Sequence, residues 1–367
     1  MRHLFLELLR SGLWGSSPNP ELFIRADWKS IFKLADIQTV GAIVLDGVSL
    51  LPKDVHPPLD IKMRRIGVMQ QVERINAVHR KTLAVIHTTL TNEGIHEVYM
   101  KGQIVATRYP KPLHRQPGDI DFVVSKRDYA KTLKVLSTIG KVDFGMVHEH
   151  HGMAWINGVT VEPHSKVHNF QRPSTDKAMQ SMFEDVFPDH LVKVDIDSGG
   201  LPSFPPTFES VFLVSHMVNH VYEEGLGLRQ IVDYAMFLNQ CGGDIMVEQH
   251  TAYLRRMRMF RAWRLFTCIC ERQLGLKRPA FVEPFSKKEE EMAQRLFDDV
   301  MRVGNFGRGE YVFQHNGLAD ALKNYRWVVG RCLSLRFVCP SEADWWIVSK
   351  AYRFFKKKET LKKHTTR

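Results

Sequence analysis

From Ile61 to Leu90 apolar residues return at mostly three- and four-residue intervals, at Ile66, Val68, Met69, Val72, Ile75, Val78, Leu83, Ile86 and Leu90. That spacing puts them on one side of a long helix, and Asn92 and Gly94 supply its stop. The period then changes. His96-Glu-Val-Tyr-Met100 reads as a short strand, and Ile104 to Tyr109 as a brief helix ended by Pro110. In Gly118-Asp-Ile-Asp-Phe-Val-Val124 alternation sends Asp119 and Asp121 to one face while Ile120, Phe122 and Val124 face the other. Lys126 to Ile139 reads as a helix closed by Gly140, and Val142 to His148 as another strand. Ala154-Trp-Ile156 and Val159-Thr-Val-Glu162 flank Asn157-Gly158, a pair suited to the positive φ angles of a tight hairpin turn. Thr160, Glu162 and His164 then share a face, so Glu162 lies beside the aspartates if the two strands are neighbours.

The ends of the chain read differently. Residues 1–52 carry apolar clusters such as Trp28-Lys-Ser-Ile-Phe-Lys-Leu-Ala35, and a proline-bounded connection runs from Leu51-Pro52 to Pro57-Pro58. Ser198-Gly-Gly-Leu-Pro-Ser-Phe-Pro-Pro206 reads as a linker, and from Phe208 onward the pattern is almost wholly helical. The expectation is an α+β protein in three parts: N-terminal helices over 1–95, a small mixed sheet over 96–200, and a C-terminal helical region over 201–367.

Composition narrows the class. With 44% hydrophobic and 25% charged residues the chain reads as globular rather than disordered, and it holds no run of apolar residues long enough to span a bilayer. Glu7 interrupts the first apolar stretch, which reads as an amphipathic helix and not an export signal. Five cysteines without paired metal-ligand spacing suggest a cytoplasmic protein. The net charge of +11 is concentrated at the end, where Arg353, Lys356, Lys357, Lys358, Lys362, Lys363 and Arg367 face one acid, Glu359. Such a tail is suited to nucleic acid or another acidic partner, and so is the run Arg255-Arg256-Met-Arg258-Met-Phe-Arg261-Ala-Trp-Arg264, which has helical character.

Two acids on one strand face call for a cation, and Glu162 would make a three-carboxylate site. Hard oxygen ligands suit Mg2+, with Mn2+ as a substitute. In the strand, glycine, helix arrangement at Lys101-Gly102-Gln103 the glycine lets the backbone approach an anion. His148, His150 and His151 cluster, while His164 with His168 and His216 with His220 stand four residues apart, a spacing that would pair imidazoles on a helix face as zinc ligands or as packed core histidines.

Taken in order, Lys101-Gly102, Tyr109-Pro110, Arg115 and Gly118-Asp119-Ile120-Asp121 resemble the polymerase-beta-like nucleotidyltransferase superfamily, in particular a poorly characterised bacterial branch. The resemblance implies a mixed-sheet nucleotidyltransferase core flanked by helices. It implies a nucleoside triphosphate donor such as ATP, held through Mg2+, and transfer of its nucleoside monophosphate to a sugar, small molecule, protein or RNA hydroxyl. On that reading Asp119 and Asp121 bridge the metals, and Glu162 is metal ligand and general base. Lys101, Gly102, Gln103, Arg115, His216, His220, Arg229 and Asp233 surround the nucleotide. The chain departs from the superfamily where Gly102-Gln103 replaces the usual Gly-Ser, and Lys101, Arg108 or Arg115 would have to make the missing phosphate contact. That departure motivates one rival, a catalytically inactive nucleotide-binding or antitoxin-like protein, while the basic tail motivates another, an RNA-binding interaction protein.

Overall fold

The structure is a computed structural model that describes residues 1–146, 151–197, 199–310 and 318–365; the side chains of Met146, Leu318 and residues 353–365 lie outside the description. The expected histidine cluster therefore keeps only His151 among the described residues, and the charged side chains of the tail fall outside them.

Helices α1 (Arg2–Trp14), α2 (Trp28–Ile37) and α3 (Gly41–Ser49) lead into α4 (Leu59–Asn92). The last is about 50 Å long at ~1.5 Å per residue. Of the apolar stripe expected from the sequence, Val72, Leu83, Ile86 and Leu90 are buried while Val68 and Val78 are exposed, and the buried face is completed by the polar Asn76, His79 and Thr82. The sheet follows: β1 (Glu97–Met100), β2 (Ile120–Val124), β3 (Lys141–Val142), β4 (Ala154–Ile156), β5 (Val159–His164), β6 (Val192–Ile196) and β7 (Gly199–Ser203). Interspersed are the five-residue α5 (Gly102–Ala106), α6 (Tyr129–Leu136) and α7 (Pro173–Glu184). Seven more helices complete the chain: α8 (Pro206–Tyr222), α9 (Leu228–Cys241), α10 (Val247–Arg256), α11 (Phe260–Leu274), α12 (Lys287–Val303), α13 (Leu318–Ser334) and α14 (Pro340–Thr365).

The strand order is β3-β4-β5-β2-β1-β7-β6. Strand β2 runs antiparallel to β1 and parallel to β5, and β7 runs parallel to β1, so the α+β, mixed-sheet expectation holds. One face of the sheet is covered by α4 and α6, where Leu83, Ile86, Leu133 and Leu136 meet Phe122, Val124, Ile156 and Val161. The other face contributes Val98, Met100 and Val123 to a larger core that continues through Phe170, Phe212 and Met217 into the C-terminal helices. Helices α1 to α3 join that same core, so the two helical regions at the ends of the sequence meet in space. No described helix is long and apolar enough to cross a membrane.

Three local expectations are corrected. The stretch 198–206, rich in Gly and Pro, is largely a strand: Gly199–Ser203 pairs with β6 over five registers and with β1 at Tyr99↔Ser203, so long-range pairing overrides its loop-like composition. Of the strand expected over 142–148, residues 147 and 148 lie outside the described residues, and the described part ends at Val142 and gives way to a 3-10 turn at Phe144–Met146. The basic run 255–264 is broken between α10 and α11, where Arg258 takes φ 58°. Arg264 there is buried, giving Nε and Nη2 to Glu289 and its other protons to the carbonyls of Glu283 and Pro284, and so is closed to an external polyanion.

Candidate active site

The central strands build the site. Asp121 sits in β2 between Met100 of antiparallel β1 and Glu162 of parallel β5, its register partner. Asp119 precedes the strand, and all three carboxylates line one cavity of about 580 Å3. That volume is in the ordinary range for a small-molecule site. His164, two residues beyond Glu162 on the same strand face, donates from Nε2 to Asp121 Oδ1 at 3.0 Å and lies 3.9 Å from Glu162 Oε2. Ligand atoms of Asp121, Glu162 and His164 fall within 4.8 Å of one another. The helical His164–His168 spacing expected from the sequence is corrected here: His164 ends a strand, and His168 lies in the loop after it.

Charge is crowded at this point. Asp121 charge, followed by burial, raises the pKa of Asp119. Glu162 is pushed up to about 7 by burial and then by the two aspartates. Burial also opposes ionisation of Asp121, but Lys101 and His164 outweigh it and hold this carboxyl well below the usual range. Lys101 Nζ stands 3.0 Å from Asp121 Oδ2. Its backbone, at φ 54° and ψ −143°, occupies a region sparsely populated by residues other than glycine. This conformation at the junction of β1 and α5 accompanies the delivery of the ammonium into the cavity.

Helix α4 supports the loop that carries the remaining groups. Buried Asn76 donates to the carbonyls of Leu113 and Arg115 at 2.7 and 2.8 Å and accepts from Gln103 Nε2 at 2.7 Å. His79 Nε2 lies 2.8 Å from the Gly118 carbonyl, just before Asp119. Thus the Gln103 side chain is committed to Asn76, and it is the turn around Gly102 that borders the cavity. Helix α5 spans five residues, too short to contribute much of the dipole expected of a phosphate-binding helix.

The opposite wall comes from α8 and α9. The i, i+4 arrangement of Arg229 and Asp233 is present on α9, but Asp233 pairs with Arg115, accepting from Nε at 2.7 Å and Nη2 at 2.8 Å. Tyr109 donates to the same carboxylate at 2.5 Å, closing a buried network with Arg115. Among the described residues Arg229 has one acceptor, the Gln116 carbonyl at 3.3 Å, and its buried Nε has none. Burial and the neighbouring Arg115 lower its pKa. His216 and His220 do share a helix face on α8, with Nε2 atoms 3.1 Å apart, so one ring donates to the other. Burial, then Lys101, depresses both, His220 to about 3, and the rings are neutral near pH 7. His168 joins them, its ring 6.1 Å from that of His216 and its Nε2 buried without a partner.

The donor set fits a divalent cation. Asp121 and Glu162 offer hard oxygen ligands close enough to share one ion with the imidazole of His164, which extends the range toward Mn2+, and Asp119 lines the same cavity. The pKa of Asp119 is raised first by the neighbouring Asp121, and that of Glu162 first by burial and then by the two aspartates. Sequence reasoning gave His164 its face but not its hydrogen bond to Asp121, and it missed Phe306, which also lines the cavity. The available signal for Phe306 was an aromatic residue enclosed by glycines in Gly304-Asn-Phe-Gly307.

No curated protein matches the chain. A solved structure titled "Crystal structure of an antigenic nucleotidyltransferase-like protein from Paracoccidioides brasiliensis" is similar at 14% identity over 48% of this chain and 86% of that one, with a TM-score of 0.31. The profile of the family described as "Uncharacterised nucleotidyltransferase" matches residues 25–275, a stretch that contains β1 to β7, the three carboxylates and α9. The chain belongs to this uncharacterised nucleotidyltransferase family.

Proposed function

We propose that the protein transfers a nucleoside monophosphate from a nucleoside triphosphate, such as ATP, to a hydroxyl acceptor in the cavity, with Asp119, Asp121 and Glu162 as the ligands of divalent cations. The observation that carries this reading is the parallel register of Asp121 with Glu162, which sets a third carboxylate beside the Asp-x-Asp pair. A divalent cation held there would neutralise charge growing on the phosphoryl oxygens and on the departing pyrophosphate.

The protein groups divide the remaining work. Glu162, beside Asp121 on the neighbouring strand, is suited to take the proton of the attacking hydroxyl. Lys101 is poised to move from Asp121 to a phosphate oxygen, and it replaces the serine that the phosphate turn lacks. Arg229 offers unfilled hydrogen-bonding capacity for a phosphate. Arg115 serves differently: Asp233 occupies two of its nitrogens, so it positions the wall rather than gripping the ligand.

The Lys101–Asp121 ion pair at 3.0 Å favours a second reading, a nucleotide-binding protein without turnover, if the ammonium stays in place. Pyrophosphate release from the four nucleoside triphosphates with Mg2+ or Mn2+, in wild-type protein and in Asp121→Asn, separates the two. The transfer reading expects release with at least one nucleotide in wild type, reduced by about 10^3-fold or more in the variant. Binding without release in wild type would leave only the second reading.

A further inference from the structure

Outside the family match, one aromatic side chain among the described residues reaches the cavity. Phe306 lies in the short turn Asn305–Gly307 that follows α12, and it lines the same cavity as the carboxylates. It is 37% exposed, whereas Phe208, Phe212 and Phe237 in the same helical region are exposed by 2% or less. Its φ of 53° and ψ of 42° are left-handed, a conformation unfavourable for a bulky residue and found preferentially where surrounding structure imposes it.

The imposing structure is identifiable. Asn305 is buried, and its Oδ1 accepts from Gln230 Nε2 of α9 at 2.9 Å. The loop before α9 and the turn after α12 close on each other so tightly that a Cβ at Gly227 would stand 2.6 Å from Asn305 Cβ, and one at Gly225, whose φ is 110°, 2.4 Å from Val303 Cγ1. The turn is thereby locked against α9, and the Phe306 ring is directed to the cavity instead of the core.

Its neighbours fit a ligand with a flat base and phosphates. The His220 ring meets Phe306 edge-on, with centroids 5.1 Å apart. The Arg229 guanidinium carbon lies 5.9 Å from the Phe306 centroid, and Nη1 of that residue would be 3.8 Å from a Cβ at Gly118, the residue before Asp119. One under-satisfied guanidinium thus bridges from the exposed aromatic ring to the acid-bearing turn. We infer that Phe306 is the stacking seat for the nucleobase of the triphosphate donor, with Arg229 between base and acid cluster; this rests on the nucleotidyltransferase reading. Stacking on a π-face tolerates any base, so the seat sets affinity more than base identity.

The test compares a ligand with a base and one without. Affinities for ATP and for inorganic tripolyphosphate, both with Mg2+, are measured by calorimetry on the full chain for wild type, Phe306→Ala and Phe306→Trp. Phe306→Ala should weaken ATP binding by about 5- to 100-fold and change tripolyphosphate binding by less than about twofold, while Phe306→Trp retains ATP binding. Equal losses for both ligands would mean that the ring only supports the wall, and no loss for either would mean that the base lies elsewhere; both overturn the stacking seat alone. A wild-type protein that binds neither ligand overturns the transferase reading and the seat together.

Discussion

In the helical layers each of three buried guanidinium groups meets a carboxylate. Arg331 pairs with Asp299 at 2.8 Å and gives Nε to the Val221 carbonyl, Arg264 holds Glu289 and two carbonyls, and Arg108 grips Glu209 through two bonds of 2.6 Å. On the cavity wall Arg115 is matched by Asp233 and Lys101 by Asp121, but other groups are not. Among the described residues Arg229 has a single acceptor at 3.3 Å, the pKa of Asp119 is raised by Asp121 and then by burial, and that of Glu162 by burial and then by the two aspartates. A buried charge left without its partner is destabilising, so natural folds keep it where a ligand supplies the partner. On the proposed nucleotidyltransferase reading, matched pairs serve the fold and the unmatched groups are those that meet the triphosphate.

That contrast breaks most visibly on the matched side. Asp299→Ala leaves Arg331 buried without its carboxylate and should cost about 3–5 kcal/mol of stability, read as a lower denaturation midpoint in urea. The same kind of change on the unmatched side should act on binding instead. Arg229→Met should leave the urea midpoint nearly unchanged, since no ion pair is broken, yet weaken magnesium–tripolyphosphate binding by about 10- to 100-fold, the equivalent of ~1.5–3 kcal/mol for a charged hydrogen bond. If Arg229→Met destabilised the fold as much as Asp299→Ala, the distinction between the two regions would collapse.

Much of the sheet was legible because its signals are local. Alternation in 118–124, the Asn157-Gly158 turn with Asn157 at φ 52°, and the stripe of α4 all arise within one element. The acid cluster was legible one step further, since faces follow from period 2 once β2 and β5 are neighbours. What escaped was set by partners distant in sequence. Strand β7 reads as a linker until β1 and β6 pair with it, and Asp233 chooses Arg115, 118 residues away, over Arg229 on its own helix. Likewise Arg264 reads as a surface charge until Glu289 takes it, and Phe306 reaches the cavity from a turn packed against the loop before α9.

The most direct measurement is calorimetric titration of a non-hydrolysable ATP analogue into wild-type protein and Asp119→Asn/Asp121→Asn, with and without Mg2+. The account predicts binding in wild type that strengthens with Mg2+, and loss of that dependence in the double variant. Wild-type affinity that is the same with and without Mg2+, or no affinity at all, would contradict the assignment of the carboxylate cluster to a metal-bound triphosphate.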